Sequence, residues 1–406
     1  MAKKTNGEWY TGKGNVSEEG KWRDLPDIYP DALKHPSGYR GSAGLVAAVN
    51  VALELGMPLL LTGEPGCGKS RLADSVAWEL GILDWDTEPG ESPQPKPLRF
   101  TIKSDTDSRD LFYRFDTLGR FHAAQVQRQD LSRQNRPLVE SGSPQALADD
   151  VDPRRFVTYQ ALGKAILYAH GRESLQNHYP GLLLPEQLNR IPEMPQRSVV
   201  LIDEIDKAPR EVPNDLLNEI DDLNFEVPEL FGHFHGKIGL PRKERTQDGK
   251  DYRPIVIITS NGERDLPEAF LRRCVYYHVG LPPFSLPQVS SGTDDQDSEV
   301  TIEEIIATRL GERFREESPL RRDALSFFRY LRGDDKIKPI KGKKPSLAEL
   351  LSWLYYLDER YANIESGLDT QHPDFRASLA VLLKHQDDLA PKAIDQLIDN
   401  WARQAS

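Results

Sequence analysis

The segment Gly63-Glu-Pro-Gly-Cys-Gly-Lys69-Ser70 constrains the fold more than any other part of the sequence. It follows the apolar stretch Met57–Thr62, which has the composition of a short buried strand. It precedes the amphipathic stretch Ser70–Leu80, which stops at Gly81, a common helix terminator. Glycines at this spacing let backbone N–H groups turn inward towards an anion, and a helix start adds partial positive charge. The pattern therefore predicts a strand, a phosphate-binding loop and a helix, in that order.

The residue types in this loop suit the triphosphate of a nucleotide. We expect Lys69 to reach the β- and γ-phosphates and the Ser70 hydroxyl to ligate Mg²⁺. An ordinary glycine-rich turn is the alternative, and it is disfavoured because strand, loop and helix signals occur together. The residues predicted to bind the nucleotide are Gly63, Glu64, Pro65, Gly66, Cys67, Gly68, Lys69, Ser70 and Arg71.

A second motif, Val199-Val-Leu-Ile-Asp203-Glu204, supplies the carboxylates that the loop lacks. Its four apolar residues predict a buried strand that ends in two adjacent acidic residues. Asp203 can join the Mg²⁺ shell, and Glu204 can polarise an attacking water. Many strands end in acidic turns, so the motif gains its specificity from the phosphate loop that accompanies it.

Composition narrows the class of protein. A chain of 406 residues usually forms two or three domains, and 38% apolar residues are enough for a real core. The sequence has only two cysteines, Cys67 and Cys274, and so low a number argues against a disulfide framework. Neither a signal peptide nor a membrane-spanning stretch is recognisable. We therefore expect a soluble protein of the reducing cytoplasm. The net charge of −12 disfavours nucleic acid and anionic lipid as partners, although Lys336–Lys344 forms a local basic cluster.

The pattern of apolar segments predicts an α/β fold with a parallel five-stranded sheet. The segments with strand character are Met57–Thr62, Leu98–Ile102, Val199–Asp203, Ile255–Ser260 and Val275–Val279. Most are continuous rather than alternating, as expected for strands buried on both faces. After Gly280 a Pro- and Asp-rich linker begins, and from Val300 onward only helices are predicted.

On these motifs the chain resembles the AAA+ ATPases, and Asp203-Glu-Ile-Asp-Lys-Ala-Pro209 resembles the extended Walker B segment of the MoxR-like branch. The resemblance implies a P-loop NTPase core that binds ATP and Mg²⁺, a helical lid domain, and assembly into a ring, usually a hexamer, with ATP sites at subunit boundaries. The domains expected are an N-terminal extension at 1–37, the nucleotide-binding domain at 38–283 with a long insertion at 104–197, a linker at 284–299, and the lid at 300–406.

The resemblance also implies roles for individual residues. Asn261, which ends Ile257-Ile-Thr-Ser-Asn261, matches the sensor 1 position that orients the lytic water. Arg273, with Arg272 as the alternative, resembles an arginine finger that acts on a neighbouring subunit's nucleotide. The branch usually carries a sensor 2 arginine near the start of a lid helix. Here the matching segment has Lys344 instead, so Lys344 is the candidate.

Three functions are compatible with these features. The leading hypothesis is a chaperone-like remodeller or activator of partner proteins, and the resemblance implies a von Willebrand factor A domain protein as the partner type. A nucleic-acid motor of the restriction or defence type is the second, supported by the Lys336–Lys344 cluster and opposed by the net charge. An ATP-gated switch with little turnover is the third, and the complete pair of carboxylates opposes it.

Overall fold

The computed structural model describes residues 35–87, 91–133, 151–209, 212–242, 248–284, 299–311, 318–333, 338–360 and 367–405. They form two compact units. The α/β unit consists of Gly44–Gly63 and Lys69–His278. The helical unit consists of the described parts of Met1–Ala43 and Val279–Ser406, together with Glu64–Gly68 from the phosphate loop.

Five strands build the central sheet of the α/β unit. They are β1 (Leu59–Thr62), β2 (Leu98–Thr101), β3 (Val199–Asp203), β4 (Ile255–Ser260) and β5 (Val275–His278). The spatial order is β5–β1–β4–β3–β2, and every neighbouring pair is parallel. The predicted parallel five-stranded sheet is therefore confirmed, with each strand within two residues of its expected ends.

The strands form where they do because their apolar side chains are buried on both faces. Residues 199–202 of β3 have no measurable exposure, and Leu60 of β1 and Ile258 of β4 are equally buried. The helix Lys69–Glu79 packs on β3, and the helix Ala161–His170 packs on β2 and β3. Helices that cover a parallel sheet are the usual way to bury continuous apolar strands.

The other described elements of the α/β unit are α-helices, 3₁₀ turns and short antiparallel strand pairs. Its other α-helices are Ala43–Leu55, Thr117–Arg133, Arg172–His178, Pro185–Leu188, Val212–Asp222 and Glu268–Leu271. Its 3₁₀ turns are Ser108–Leu111, Pro153–Phe156, Ile205–Lys207 and Pro228–Leu230. Two-stranded antiparallel pairs join Leu83–Asp84 to Gln94–Pro95, Tyr113–Phe115 to Val157–Tyr159, and Asn224–Phe225 to Ile238–Gly239.

The helical unit has its own core. Its α-helices are Ile302–Leu310, Pro319–Arg332, Leu347–Arg360, Pro373–Ser378 and Pro391–Ala405, and its 3₁₀ turns are Pro36–Gly38 and Leu379–Val381. Phe327 packs against the rings of Trp353, Phe375 and Trp401 at centroid distances of 5.3–6.1 Å. The buried Trp353 indole N–H donates to the Ser378 hydroxyl at 2.8 Å, so its one polar atom is satisfied. The expected helical C-terminal region is confirmed.

Several sequence predictions lie outside the described residues. These are most of the N-terminal extension, most of the linker 284–299, part of the insertion at 134–150, and the first two residues of the basic cluster. Within the described ranges, no helix has both the length and the apolar character that a bilayer-crossing helix needs.

Candidate functional site

Three strands bring the predicted site residues to one edge of the sheet. β1 and β4 are paired with Thr62 opposite Ser260, and β4 lies between β1 and β3. All run in the same direction, so the segments that follow their carboxyl ends meet at that edge. The residues that come next in the chain are Gly63, Glu204 and Asn261.

Within the phosphate loop, Lys69 turns back towards the end of β1. Its Nζ donates to the Gly63 carbonyl oxygen at 2.8 Å, and the side chain is buried. The helix begins at Lys69, so its first N–H groups lie where the loop closes. An ammonium group and helix N–H donors therefore lie together, and this combination binds anions such as phosphate groups.

A hydrogen bond joins the start of this helix to β3. The Ser70 hydroxyl donates to Asp203 Oδ1 at 2.8 Å, and the Thr259 hydroxyl of β4 donates to the same oxygen. A hydroxyl and a carboxylate are hard oxygen ligands of the kind that Mg²⁺ prefers, alongside waters and substrate phosphates. Ser70 and Asp203 therefore fit the predicted Mg²⁺ role.

Glu204 is held between an amide and an ammonium group. Its backbone is left-handed (φ 63°), and its N–H donates to the Thr259 hydroxyl at 3.1 Å. One carboxylate oxygen accepts from Asn261 Nδ2 in a long contact of 3.5 Å. The other accepts from Lys207 Nζ at 2.6 Å. That hydrogen bond, with the charge of Glu204, raises the pKa of Lys207.

Asp206 is a site residue that the sequence reasoning did not identify. It is 3% exposed, and its Oδ2 accepts the backbone N–H groups of Asn261 at 3.1 Å and Glu263 at 3.0 Å. Asp206 therefore holds the turn after β4 and with it the Asn261 amide. An acidic residue three positions beyond Asp203 was the available signal, but only the sheet order reveals its partner.

The two candidate finger arginines contact carboxylates away from this cluster. Arg272 forms an ion pair with Glu268 one helical turn earlier, and its side chain is 76% exposed. Arg273 Nη1 lies 3.6 Å from Asp221 Oδ2 at the end of another helix, and its side chain is 48% exposed. Both guanidinium groups are therefore on the surface of the α/β unit.

The middle of the phosphate loop contacts the helical unit to which it belongs. Glu64 Oε2 pairs with Arg332 Nη2 at 3.0 Å, and the Gly66 carbonyl accepts the Ala348 N–H at 3.3 Å. The sequence pattern of Ser346 and Glu349 predicts a capping box at the start of the helix Leu347–Arg360, and the structure confirms it. Ser346 N donates to Glu349 Oε2 at 2.7 Å, and Ser346 Oγ accepts from Glu349 N at 3.4 Å.

Four other residues predicted to contact the nucleotide are exposed or partly exposed. Lys344 is exposed in the segment before that capping box. Cys67 is partly exposed, Pro65 is exposed, and Arg71 Nη1 lies 3.5 Å from Asp74 Oδ2 on the same helix. Arg71 is thus engaged with its own helix in this conformation.

Comparisons with known proteins agree with the geometry. Residues 58–274 match the model of the AAA domain (dynein-related subfamily), a span of more than half of the chain. Protein CbbQ of Allochromatium vinosum is 39% identical over 49 residues, which is 12% of this chain and 66% of that protein's length. The chain spans just under two thirds of this relative, whose match supports the MoxR-like resemblance. On the family match, the sheet order and the phosphate loop together, the chain belongs to the AAA+ ATPases.

Proposed function

We propose that this chain binds ATP with Mg²⁺ and hydrolyses it at the edge formed by β1, β3 and β4. The observation that carries the proposal is the 2.8 Å hydrogen bond from Ser70 to Asp203. It joins the phosphate-loop helix to the strand whose next residue is the carboxylate Glu204. A site that only binds ATP, without hydrolysing it, needs no second carboxylate such as Glu204 beside the Asn261 amide.

Each residue has a distinct task in this proposal. Lys69 and the loop N–H groups bind the phosphates, while Ser70 and Asp203 hold Mg²⁺, which neutralises phosphate charge when bound. Glu204 accepts a hydrogen bond from the attacking water, and Asn261 orients that water and the γ-phosphate. The rate enhancement comes mainly from positioning and from fixed charge in the site.

The proposal includes assembly into a ring, most simply a hexamer. Arg273, or Arg272 beside it, then stabilises the charge on a neighbouring subunit's phosphoryl group. Their exposure of 48% and 76% supports this role, because a finger acting in another subunit must be accessible. The ion pairs of Arg272 with Glu268 and of Arg273 with Asp221 are at the surface, and such pairs contribute little to stability.

We further propose that the ring remodels or activates a partner protein, with a von Willebrand factor A domain protein as the candidate partner. The two free cysteines are consistent with the reducing cytoplasm. In the described part of the basic cluster, Lys341 pairs with Asp387 at 2.9 Å, which reduces the support for a nucleic-acid motor. The Lys207–Glu204 ion pair favours an ATP-gated switch as the second candidate, because it occupies a carboxylate oxygen that would contact water.

Steady-state ATP hydrolysis measured against protein concentration tests the enzyme and the ring together. We expect specific activity to rise with concentration and to be lost in Glu204→Gln and in Arg273→Ala. Arg272→Ala measured beside Arg273→Ala identifies which of the two arginines acts as the finger. Tight ATP binding with background turnover at every concentration would favour the switch.

Mixing the two inactive variants separates a shared site from a simple loss of folding. Glu204→Gln retains Arg273, and Arg273→Ala retains Glu204, so a mixed ring contains some complete sites. We expect activity to reappear on mixing. Two folded, ATP-binding variants that stay inactive when mixed would rule out Arg273 as a finger acting between subunits.

A further inference from the structure

The guanidinium group of Arg332 contacts the phosphate loop at Glu64. It is the last residue of the helix Pro319–Arg332, and its side chain is only 13% exposed. The two ends of the guanidinium have different partners: Nη2 lies 3.0 Å from Glu64 Oε2, and Nη1 donates to the Pro345 carbonyl oxygen at 2.6 Å. A planar, permanently charged group with several donors can bond both acceptors at once, which a lysine ammonium does less well.

The same part of the loop is fixed at a second point. The Gly66 carbonyl accepts the Ala348 N–H at 3.3 Å, at the start of the helix Leu347–Arg360. Gly66 has φ 79°, and a Cβ added to it would lie 2.6 Å from Ser346 Oγ. Contact this close shows that the beginning of that helix rests directly on the loop backbone. The Pro345 carbonyl that Arg332 holds immediately precedes this helix start.

We propose that Arg332 is a positioning residue, which holds the phosphate loop in its nucleotide-binding conformation through Glu64. The inference rests on the proposed ATP site and concerns how the loop of that site is ordered. A glycine-rich loop loses much conformational freedom when it wraps a phosphate. Contacts that fix its backbone beforehand remove part of that cost from the binding step. Arg332 does this by hydrogen bonding both the Glu64 side chain and the Pro345 carbonyl oxygen.

The geometry assigns this task to Arg332 rather than to Lys344. Lys344 is exposed, whereas Arg332 is largely buried between two partners. Arg329, one turn earlier on the same helix, lies over the Phe284 ring at 5.5 Å and makes a matched control. Removing either arginine changes the charge of the same helix end by the same amount.

Equilibrium binding of a fluorescent ATP analogue tests the proposal in the full chain. We expect Arg332→Gln and Glu64→Gln each to weaken binding by about tenfold, as loss of a charge-assisted hydrogen bond implies. The double variant should bind no more weakly than the weaker single variant, because both act through one contact. Arg332→Lys should bind with intermediate affinity, and Arg329→Gln should match the wild type.

The thiol of Cys67 gives a second readout that needs no nucleotide. The chain has two cysteines, and burial raises the pKa of the Cys274 thiol to about 12, so labelling of the folded protein reports Cys67 in the loop. We expect Arg332→Gln and Glu64→Gln to speed labelling of Cys67 by a similar factor, with Arg329→Gln unchanged. Melting temperatures identify any variant that simply fails to fold.

These readouts distinguish this inference from the proposed function. If the wild type binds no ATP, the proposed function fails, while the labelling rates still test the loop contact. If the wild type binds ATP but the two single variants leave affinity and labelling unchanged, Arg332 is not a positioning residue. Strictly additive losses in the double variant would also overturn the proposal, because Arg332 would then act without Glu64.

Discussion

Replacing Asp206 tests whether the turn after β4 must be held for catalysis. Its Oδ2 accepts two backbone N–H groups, from Asn261 and Glu263 at 3.1 and 3.0 Å. In Asp206→Ala both donors lose their acceptor inside the protein, at a cost of about 1–3 kcal/mol for each group that stays buried. Asn261 is only partly buried, so water can reach part of this turn. We therefore expect unfolding to become easier by about 2–4 kcal/mol.

The same change should lower catalysis more than binding. The Asn261 amide lies 3.5 Å from the Glu204 carboxylate, and a misplacement of about 1 Å in an active site can cost about a hundredfold. We expect kcat for ATP hydrolysis to fall about 10- to 100-fold in Asp206→Ala. ATP affinity should change little, because Lys69 and Ser70 are untouched. Asp206→Asn keeps an oxygen acceptor and should lose less than tenfold in kcat.

Chemical denaturation measures the free energy of unfolding, ATP-analogue binding measures the affinity, and steady-state hydrolysis measures kcat. Asp251→Asn is the control, because Asp251 Oδ1 also accepts a backbone N–H, from Arg253 at 2.8 Å, but in an exposed turn. It should change stability by less than about 0.5 kcal/mol. The reasoning is refuted if Asp206→Ala hydrolyses ATP within twofold of the wild type, or if ATP affinity falls as far as kcat.

Three further changes test other parts of the structure. Gly66→Ala and Gly81→Ala both force a left-handed alanine, which costs about 1–2 kcal/mol in each variant. Only Gly66 has a close neighbour, so only Gly66→Ala should weaken ATP binding by more than tenfold. Equal ATP affinity of the two variants would contradict this. Lys207→Gln should raise kcat about two- to fivefold at unchanged affinity, because the Glu204 carboxylate is freed; a tenfold fall would instead make Lys207 essential for turnover. Burial lowers the pKa of His170, so the unfolded chain binds that proton more readily and stability should fall as the pH drops below about 6.5. Denaturation midpoints at pH 7.5 and 5.5 should show a smaller fall in His170→Gln.

The central strands could be predicted from sequence because each is a continuous apolar segment with a clear end. β3 and β4 have the predicted limits, Val199–Asp203 and Ile255–Ser260. Strands buried on both faces leave a strong local signal, since every position must be apolar.

The insertion between β2 and β3 carries weaker local sequence patterns than the central strands. The apolar residues of Ala161–Tyr168 predict a helix there, and the structure confirms it and extends it to His170. All of its residues except Lys164 are buried. The helix Thr117–Arg133 was not predicted, and its sequence has almost no amphipathic pattern. A helix without an apolar stripe gives sequence reasoning little to recognise.

The sequence by itself determined the phosphate loop, the strand that ends in Asp203 and Glu204, and the cap at Ser346. Each of these depends on residues within a few positions of one another, where spacing alone sets the geometry. Only the tertiary structure decided that Ser70 meets Asp203, that Asp206 holds Asn261, and that Arg332 meets Glu64. These pairs are separated by 55 to 268 residues, and their contacts follow from strand order and helix packing, which no local pattern encodes.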